Sequence, residues 1–205
     1  MKKVIVRAAA VVLPGTFLLV AGYFTLNQCK TDATVSFEQM SELMRTTAPL
    51  RASVQIRLET SPDQVFEYIS SAKTLPEWMP GLASLTYDHS NAASAGSLGQ
   101  GSRREMLFGD QAEIEEIVQF DRPYLVAYQI LEGVPLRNHL AVMTVEETGD
   151  GGSIFTWSQY FDIKRSSVTG WIMPYMVSRF LNNASDNLLR QFDGVMVEAC
   201  YSPSL

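Results

Sequence analysis

What most constrains this chain is a change of hydrophobic period near residue 165. Between residues 82 and 163 the sequence breaks into six short runs: 82–89, 102–108, 111–120, 124–131, 136–146 and 153–163. Gly109-Asp110, Asp121-Arg122-Pro123, Gly133-Val134-Pro135 and the Gly149-Asp150-Gly151-Gly152 turn punctuate them, which predicts strands that follow one another as an antiparallel meander. Residues 90–101, rich in Ser, Ala, Gly and Asn, form a loop between the first two runs. From residue 174 to 198 the spacing changes, with Val177, Leu181, Ala184, Leu188, Phe192 and Val195 recurring every three or four positions. That spacing predicts one helix of about 25 residues, roughly 37 Å long. Pro174 belongs to its first turn or to a kink, and residues 166–173 form a separate lead-in.

Ahead of the meander, residues 51–80 read as one strand running into a short capped helix. Val54, Ile56 and Leu58 alternate with Ser53, Gln55 and Arg57, the period of a half-buried strand. Ser61-Pro62-Asp63-Gln64 then starts a helix, with Ser61 at the cap, Pro62 at the first helical position and Gln64 placed to complete a capping box. Val65, Phe66 and Ile69 give the apolar stripe, and Asp63, Glu67 and Ser70 are expected outside. The helix stops by Pro76, and the segment closes on Trp78-Met79-Pro80.

The 205 residues, 46% of them hydrophobic, suffice for one domain with a sizeable core and an appendage. The net charge of -6 is uneven. The first 30 residues hold Lys2, Lys3, Arg7 and Lys30 and no acid, leaving 12 basic against 22 acidic side chains in the remainder. An acidic body does not bind nucleic acid through its phosphates, which requires clustered Lys and Arg. Residues 8–26 are uncharged and follow three cations, a pattern expected of an uncleaved transmembrane anchor or a signal peptide. Lys2, Lys3 and Arg7 on the cytoplasmic side place the rest of the chain outside. The expected division is an anchor over 1–30, a polar stalk over 31–49 with a weakly amphipathic piece, a domain over 50–198 and a tail over 199–205. Cys29 and Cys200 are the two cysteines. Two free thiols are expected; a disulfide between them requires an oxidising compartment, and lipidation of Cys29 is disfavoured by the bulky Gln28 before it.

The order of strand, short helix, meander and long helix resembles the START-like, or SRPBCC (Bet v 1-like), superfamily, in particular its bacterial polyketide cyclase/dehydrase and lipid-transport branch. The resemblance covers residues 50–198. It is carried by Thr60-Ser61-Pro62-Asp63-Gln64-Val65-Phe66, Trp78-Met79-Pro80, Gly99-Gln100-Gly101-Ser102-Arg103, Asp121-Arg122-Pro123, and Gly151-Gly152-Ser153 leading to Trp157. Ser153 stands where the family commonly has Thr, and the N-terminal segment is an addition. The resemblance implies an α+β helix-grip fold, a curved antiparallel β-sheet around a long C-terminal α-helix, with a cavity for a hydrophobic small molecule or lipid. With the anchor, it implies a single-pass protein of a bacterial inner membrane whose domain is extracytoplasmic. No cofactor is implied, and a protein partner is unspecified.

Ser153, Phe155, Trp157, Gln159 and Phe161 share one strand face, expected to be internal, with Thr156, Ser158 and Asp162 opposite. The expected ligand wall adds Trp78, Tyr128, Met143 and Phe180. Trp171, Met173 and Met176 are expected at a mouth near the start of the long helix, with Tyr175 among the aromatic residues nearby. His139 is expected in register with Arg137, Ala141, Met143 and Val145, and serves as an orienting polar contact. Glu105 and Glu115 are the carboxylates expected to orient a ligand, from a charged set that also holds Arg103 and Glu113; the alternative is a solvated face with cross-strand ion pairs. The superfamily tends to keep a carboxylate near residue 115. An enzymatic alternative, a cyclase or dehydratase for a polyketide-like or aromatic substrate, would use His139 with Arg137 or Glu115 as acid-base groups. A third reading is a protein-interaction module with a filled core. His89, beside the loop, reads as a surface residue. Neither histidine has partners at metal-ligand spacing, so no metal site is expected, and no nucleophile triad, P-loop or dinucleotide fingerprint occurs.

Overall fold

A computed structural model of the chain describes residue 29 and residues 46–94, 96–163 and 168–202, the side chains of residues 168–171 excepted. The expected anchor, apart from Cys29, and most of the stalk lie outside the described residues. Among the described residues no helix is long and apolar enough to cross a membrane. The strands are β1 (Leu50–Leu58), β2 (Leu82–Asp88), β3 (Arg103–Phe108), β4 (Gln111–Asp121), β5 (Leu125–Glu132), β6 (Leu136–Glu147), β7 (Ser153–Ile163) and β8 (Gly194–Tyr201). They form one sheet in the order β2-β3-β4-β5-β6-β7-β1-β8. Each neighbouring pair is antiparallel. The helices are α1 (Pro62–Ser70), α2 (Leu75–Trp78) and α3 (Val168–Phe192).

The six runs of the meander became β2 to β7, and their sequential pairing follows from the short turns between them. β1 leaves this order because its alternation buries Ala52, Val54, Ile56 and Leu58 on one face, between β7 on one side and β8 on the other. Against that face α3 lays Leu181, Ala184 and Leu188, all fully buried at helical spacing. Burial of each such leucine or isoleucine is worth about 1.5–3 kcal/mol relative to exposure. A large antiparallel sheet with a C-terminal helix against it is the helix-grip arrangement. A second, smaller cluster of Val118, Ala127, Leu140, Val142 and Tyr160 lies on the other face, joined by Ala48.

The end of the long helix corrects the expectation. α3 begins at Val168, so the lead-in supplies its first turn and Pro174 lies inside it. It ends at Phe192 rather than 198, and the residues expected to be its last turn and tail form β8 instead. Asp193 and Gly194 both take positive φ, 51° and 154°. A side chain at Gly194 would run into the Arg57 backbone carbonyl, so glycine permits the close return of the chain to β1. Val195 lies three positions beyond Phe192, which mimics helical spacing; the Asp-Gly pair and the β-branched Val195 and Val197 were the competing signal.

Two local expectations change as well. Ser61 and Gln64 do not form a capping box: the Ser61 hydroxyl donates to Gln64 Oε1 at 3.3 Å, and no side chain caps the helix backbone. Ser70 is buried rather than outward, donating to Phe66 O at 2.7 Å. Tyr87 covers this end of α1 by donating from its hydroxyl to Ser70 O at 3.2 Å.

The cysteines are not free. Cys29 and Cys200 form a disulfide with their Cα atoms 4.8 Å apart, which also leaves no Cys29 thiol for a lipid. Cys29 N donates to Tyr201 O at 3.2 Å. The bond therefore ties the chain at residue 29 to the edge strand β8.

Candidate functional site

The inner face of the sheet carries an aromatic wall. The expected face of β7 is confirmed, with Ser153, Phe155, Trp157, Gln159 and Phe161 all buried. Trp78, brought in by α2, packs edge-on to Trp157 with ring centroids 5.5 Å apart. Phe180 of α3 meets Trp157 at 5.8 Å and Phe108 of β3 at 6.0 Å, so one aromatic series crosses from β7 to β3. Met143 is buried as expected, and Met173, expected at a mouth, is buried too. Met176 is not on this wall: it is 51% exposed, one helical turn from exposed Ile172. Tyr175 turns towards β8, with its ring 6.1 Å from that of Tyr201. The Trp171 side chain lies outside the described residues.

Across the wall runs a strip of buried polar side chains. Arg104 on β3 and Glu115 on β4 are directly opposed, each 1% exposed, and Arg104 Nε donates to Glu115 Oε2. The guanidinium lies over the Tyr128 ring, with Cζ 4.6 Å from its centroid, a cation–π contact in a desolvated setting. The Tyr128 hydroxyl accepts from Gln159 Nε2 at 3.2 Å, and Gln159 Oε1 lies 2.6 Å from His139 Nε2. His139 Nδ1 accepts from the backbone N–H of Ile130 at 3.0 Å, so the ring proton sits on Nε2 and is donated to Gln159. Five side chains from five strands thus form one connected string.

Burial sets the protonation of these groups. Burial pushes His139 down to about 4, against a smaller opposing effect of Gln159. It is therefore neutral at pH 7, with both ring nitrogens engaged. Burial, then the Glu115 charge, holds the Tyr128 phenol well above its usual range. For Arg104 burial acts against the charge, but Glu115, Tyr87 and Tyr128 outweigh it and raise the guanidinium above its ordinary value. Glu113 shares the inner face two residues before Glu115. Burial, followed by the charge and hydrogen bond of Glu115, pushes its carboxyl up to about 9.

Three expectations about charged residues are corrected. Glu105 is exposed, as is Arg103, which pairs with Glu116 at 3.0 Å on the outer side. The parity of β3 is set by Met106 and Phe108, which face the interior and bring Arg104 with them; that was the signal for Arg104, which sequence reasoning missed. Arg137 is exposed. Between the pairs Arg137↔Asp162 and Leu140↔Tyr160 the strand β6 has one extra residue, with Asn138 at φ 49°, so this bulge takes Arg137 off the His139 face. His89 is half-buried rather than on the surface, stacked on Tyr87 at 5.3 Å, with Nδ1 3.0 Å from Ser102 Oγ.

A cleft of about 450 Å³ opens between α1 and the β2–β3 loop, lined among others by Ser70, Tyr87, His89, Leu98, Phe120 and Arg122. Tyr87 is the cross-strand partner of Arg104, which places the polar strip behind one wall of this cleft. Among the described residues no group of three or more His, Cys, Asp or Glu side chains is arranged to hold a metal ion.

No curated protein matches the chain. Among solved structures, a START superfamily protein from Mycobacterium smegmatis aligns with TM-score 0.58 at 9% identity, covering 70% of this chain and 97% of its own. XoxI from Bacillus cereus aligns with TM-score 0.56 at 20% identity, covering 69% and 95%. Truncated norcoclaurine synthase from Thalictrum flavum aligns with TM-score 0.54 at 18% identity, covering 72% and 96%. At these identities the likeness is one of fold. Residues 49–196 match the family described as polyketide cyclase/dehydrase and lipid transport, and the chain belongs to that family.

Proposed function

We propose that this protein binds a hydrophobic small molecule, a lipid or a quinone-like compound, between the sheet and α3 and holds or carries it without transforming it. The observation that carries this reading is the buried Arg104–Glu115 pair at one end of a polar strip that crosses an aromatic wall. A buried ion pair is often no more stabilising than hydrophobic residues of the same volume, so packing alone does not call for one here. Recognition of a ligand's polar end does. Of the groups the enzymatic alternative would use, Arg137 is exposed, His139 is neutral with both nitrogens engaged, and Glu115 is held by Arg104. The Cys29–Cys200 disulfide supports an extracytoplasmic domain, because such bonds persist in oxidising compartments. With residues 8–26 as an anchor, it would hold the domain close to a bacterial inner membrane and its lipids.

The test is the full chain expressed in a bacterial envelope, purified in detergent and examined by native mass spectrometry. The expected result is a co-purified apolar molecule whose removal lowers the melting temperature. Protein that carries no bound mass, and whose melting temperature no lipid or quinone raises, overturns the proposal.

A further inference from the structure

The buried polar atoms that lack a protein partner are of one chemical kind where they face the interior. Among the described residues they include Arg104 Nη2, Trp78 Nε1 and Trp157 Nε1, which only donate, and the hydroxyls of Ser153 and Ser185, which donate or accept. The one pure acceptor left over, Gln119 Oε1, belongs to a residue paired with Ala127 of the second cluster, on the opposite face of the sheet. An unmade hydrogen bond costs a buried group its desolvation, about 1–3 kcal/mol and more for a charged one. Among the described residues the interior thus has several free donors and no free pure acceptor, an arrangement suited to receive acceptors.

The charge balance narrows the class further. Arg104 is already paired with Glu115, and Glu113 stands beside them. A carboxylate or phosphate would add a negative charge next to two carboxyl groups in a buried setting, where charge without compensation is most costly. We infer that the ligand is a neutral, largely apolar molecule carrying a carbonyl oxygen that accepts from Arg104 Nη2 or from the indole N–H of Trp157 or Trp78. This deepens the ligand-binding proposal above and rests on it. The raised carboxyl of Glu113 agrees, since a second ionised carboxylate beside Glu115 is already disfavoured here. The aromatic series from Phe108 through Phe180 to Trp157 offers the flat surface such a molecule would stack on.

Three probes with one apolar body separate the alternatives: 2-acetylnaphthalene, 2-ethylnaphthalene and 2-naphthoate, titrated calorimetrically into the full chain in one detergent. Micelle partition of a given probe is common to all variants, so the ratio between proteins reads the site. Wild type is expected to prefer the ketone over the ethyl compound by about tenfold or more, the worth of one hydrogen bond from a charged donor, with the carboxylate weakest. The double variant R104M/E115M should lose most of that preference, read as the ratio of ketone to ethyl affinity. If that variant does not fold, Trp157→Phe keeps an aromatic ring and removes one N–H, and should lower ketone affinity more than ethyl affinity, by about threefold to tenfold. Equal binding of ketone and ethyl compound by wild type, tightest binding of naphthoate, or a preference that survives in both variants overturns the inference and leaves ligand binding standing. Binding of none of the three also overturns the inference, and the native mass spectrum then decides ligand binding separately.

Discussion

The two ends of the sheet bury similar amounts of side chain by opposite means. At β1, β7 and β8, beneath α3, the inner face holds Val54, Ile56, Leu58, Phe155 and Trp157, met by Leu181, Ala184 and Leu188. At β3 and β4, away from the helix, it holds Arg104 and Glu115 at the same depth, with Glu113 alongside. The first end gains stability from every group it covers. The second gains little, because each charge gives up its hydration before it gains its partner. The apolar end is a scaffold, and on the proposed function the polar end is where a ligand's polar group is recognised.

That contrast breaks first in double mutants. Arg104→Met alone should cost about 3–5 kcal/mol, because it strands Glu115 in a dry site, and adding Glu115→Met should recover most of the loss. Trp157→Ala should cost a similar amount, about 3–5 kcal/mol, but adding Trp78→Ala should deepen the loss, since each removal only enlarges a cavity. Urea unfolding of the four variants measures both cycles. A Met-Met variant no more stable than R104M alone would mean that the pair supports the fold as the tryptophans do.

The apolar end also has a covalent tie. Cys200→Ala should lower stability by about 2–4 kcal/mol, and a reducing agent should lower wild type towards the variant while leaving the variant unmoved. The polar end carries no such tie, so probes of ketone binding at Arg104 should be less affected by reduction than the unfolding midpoint.

These regions were not equally legible in the sequence. The apolar end was plain, because alternation in β1 and β7 and the Leu181-Ala184-Leu188 spacing record burial directly. The polar end depends on parity in strands where charge occurs on both faces. Arg103-Arg104-Glu105 offers a charge to either side, and only Met106 and Phe108 show which one turns in. The bulge at Asn138 changes parity inside β6, so His139 and Arg137 part company without any break in the pattern. β8 was hidden for a different reason, since a valine three residues past Phe192 satisfies helical and extended spacing equally. The disulfide is a contact between positions 171 residues apart in sequence, and no local pattern encodes it.

Titration sharpens the comparison at lower cost to the fold. Burial depresses His139 from 6.5 to about 4, so the unfolded chain takes up a proton there before the folded one. The stability this neutral ring preserves is complete above pH 6.5 and is lost as pH falls from 6.5 towards 4, on the order of 2–3 kcal/mol in all. His139→Leu should remove that acid-side slope, read from urea midpoints at pH 7.0, 5.5 and 4.5, even though it lowers stability at pH 7 by unpairing Gln159 and Ile130 N–H. A slope unchanged in the variant would place the titrating group elsewhere.

The smallest expected effect is a gain. Glu113 has its carboxyl raised from 4.5 to about 9, so the folded chain keeps a proton that the unfolded chain sheds. Stability from this group is therefore present below pH 4.5 and declines as pH rises towards 9, the reverse of His139. Between pH 4.5 and 6.5 the two slopes oppose each other, which leaves pH 6.5–9 as the window where Glu113 acts without His139. Because the side chain is partly exposed, solvent screens much of the shift, and Glu113→Gln should stabilise the protein by on the order of 1 kcal/mol at pH 7 while flattening the decline towards pH 9. The same substitution at exposed Glu105 should leave the midpoint at pH 7 unchanged, since the side chain lies in solvent. Equal behaviour of the two variants would mean that β3 and β4 present no buried polar end at all.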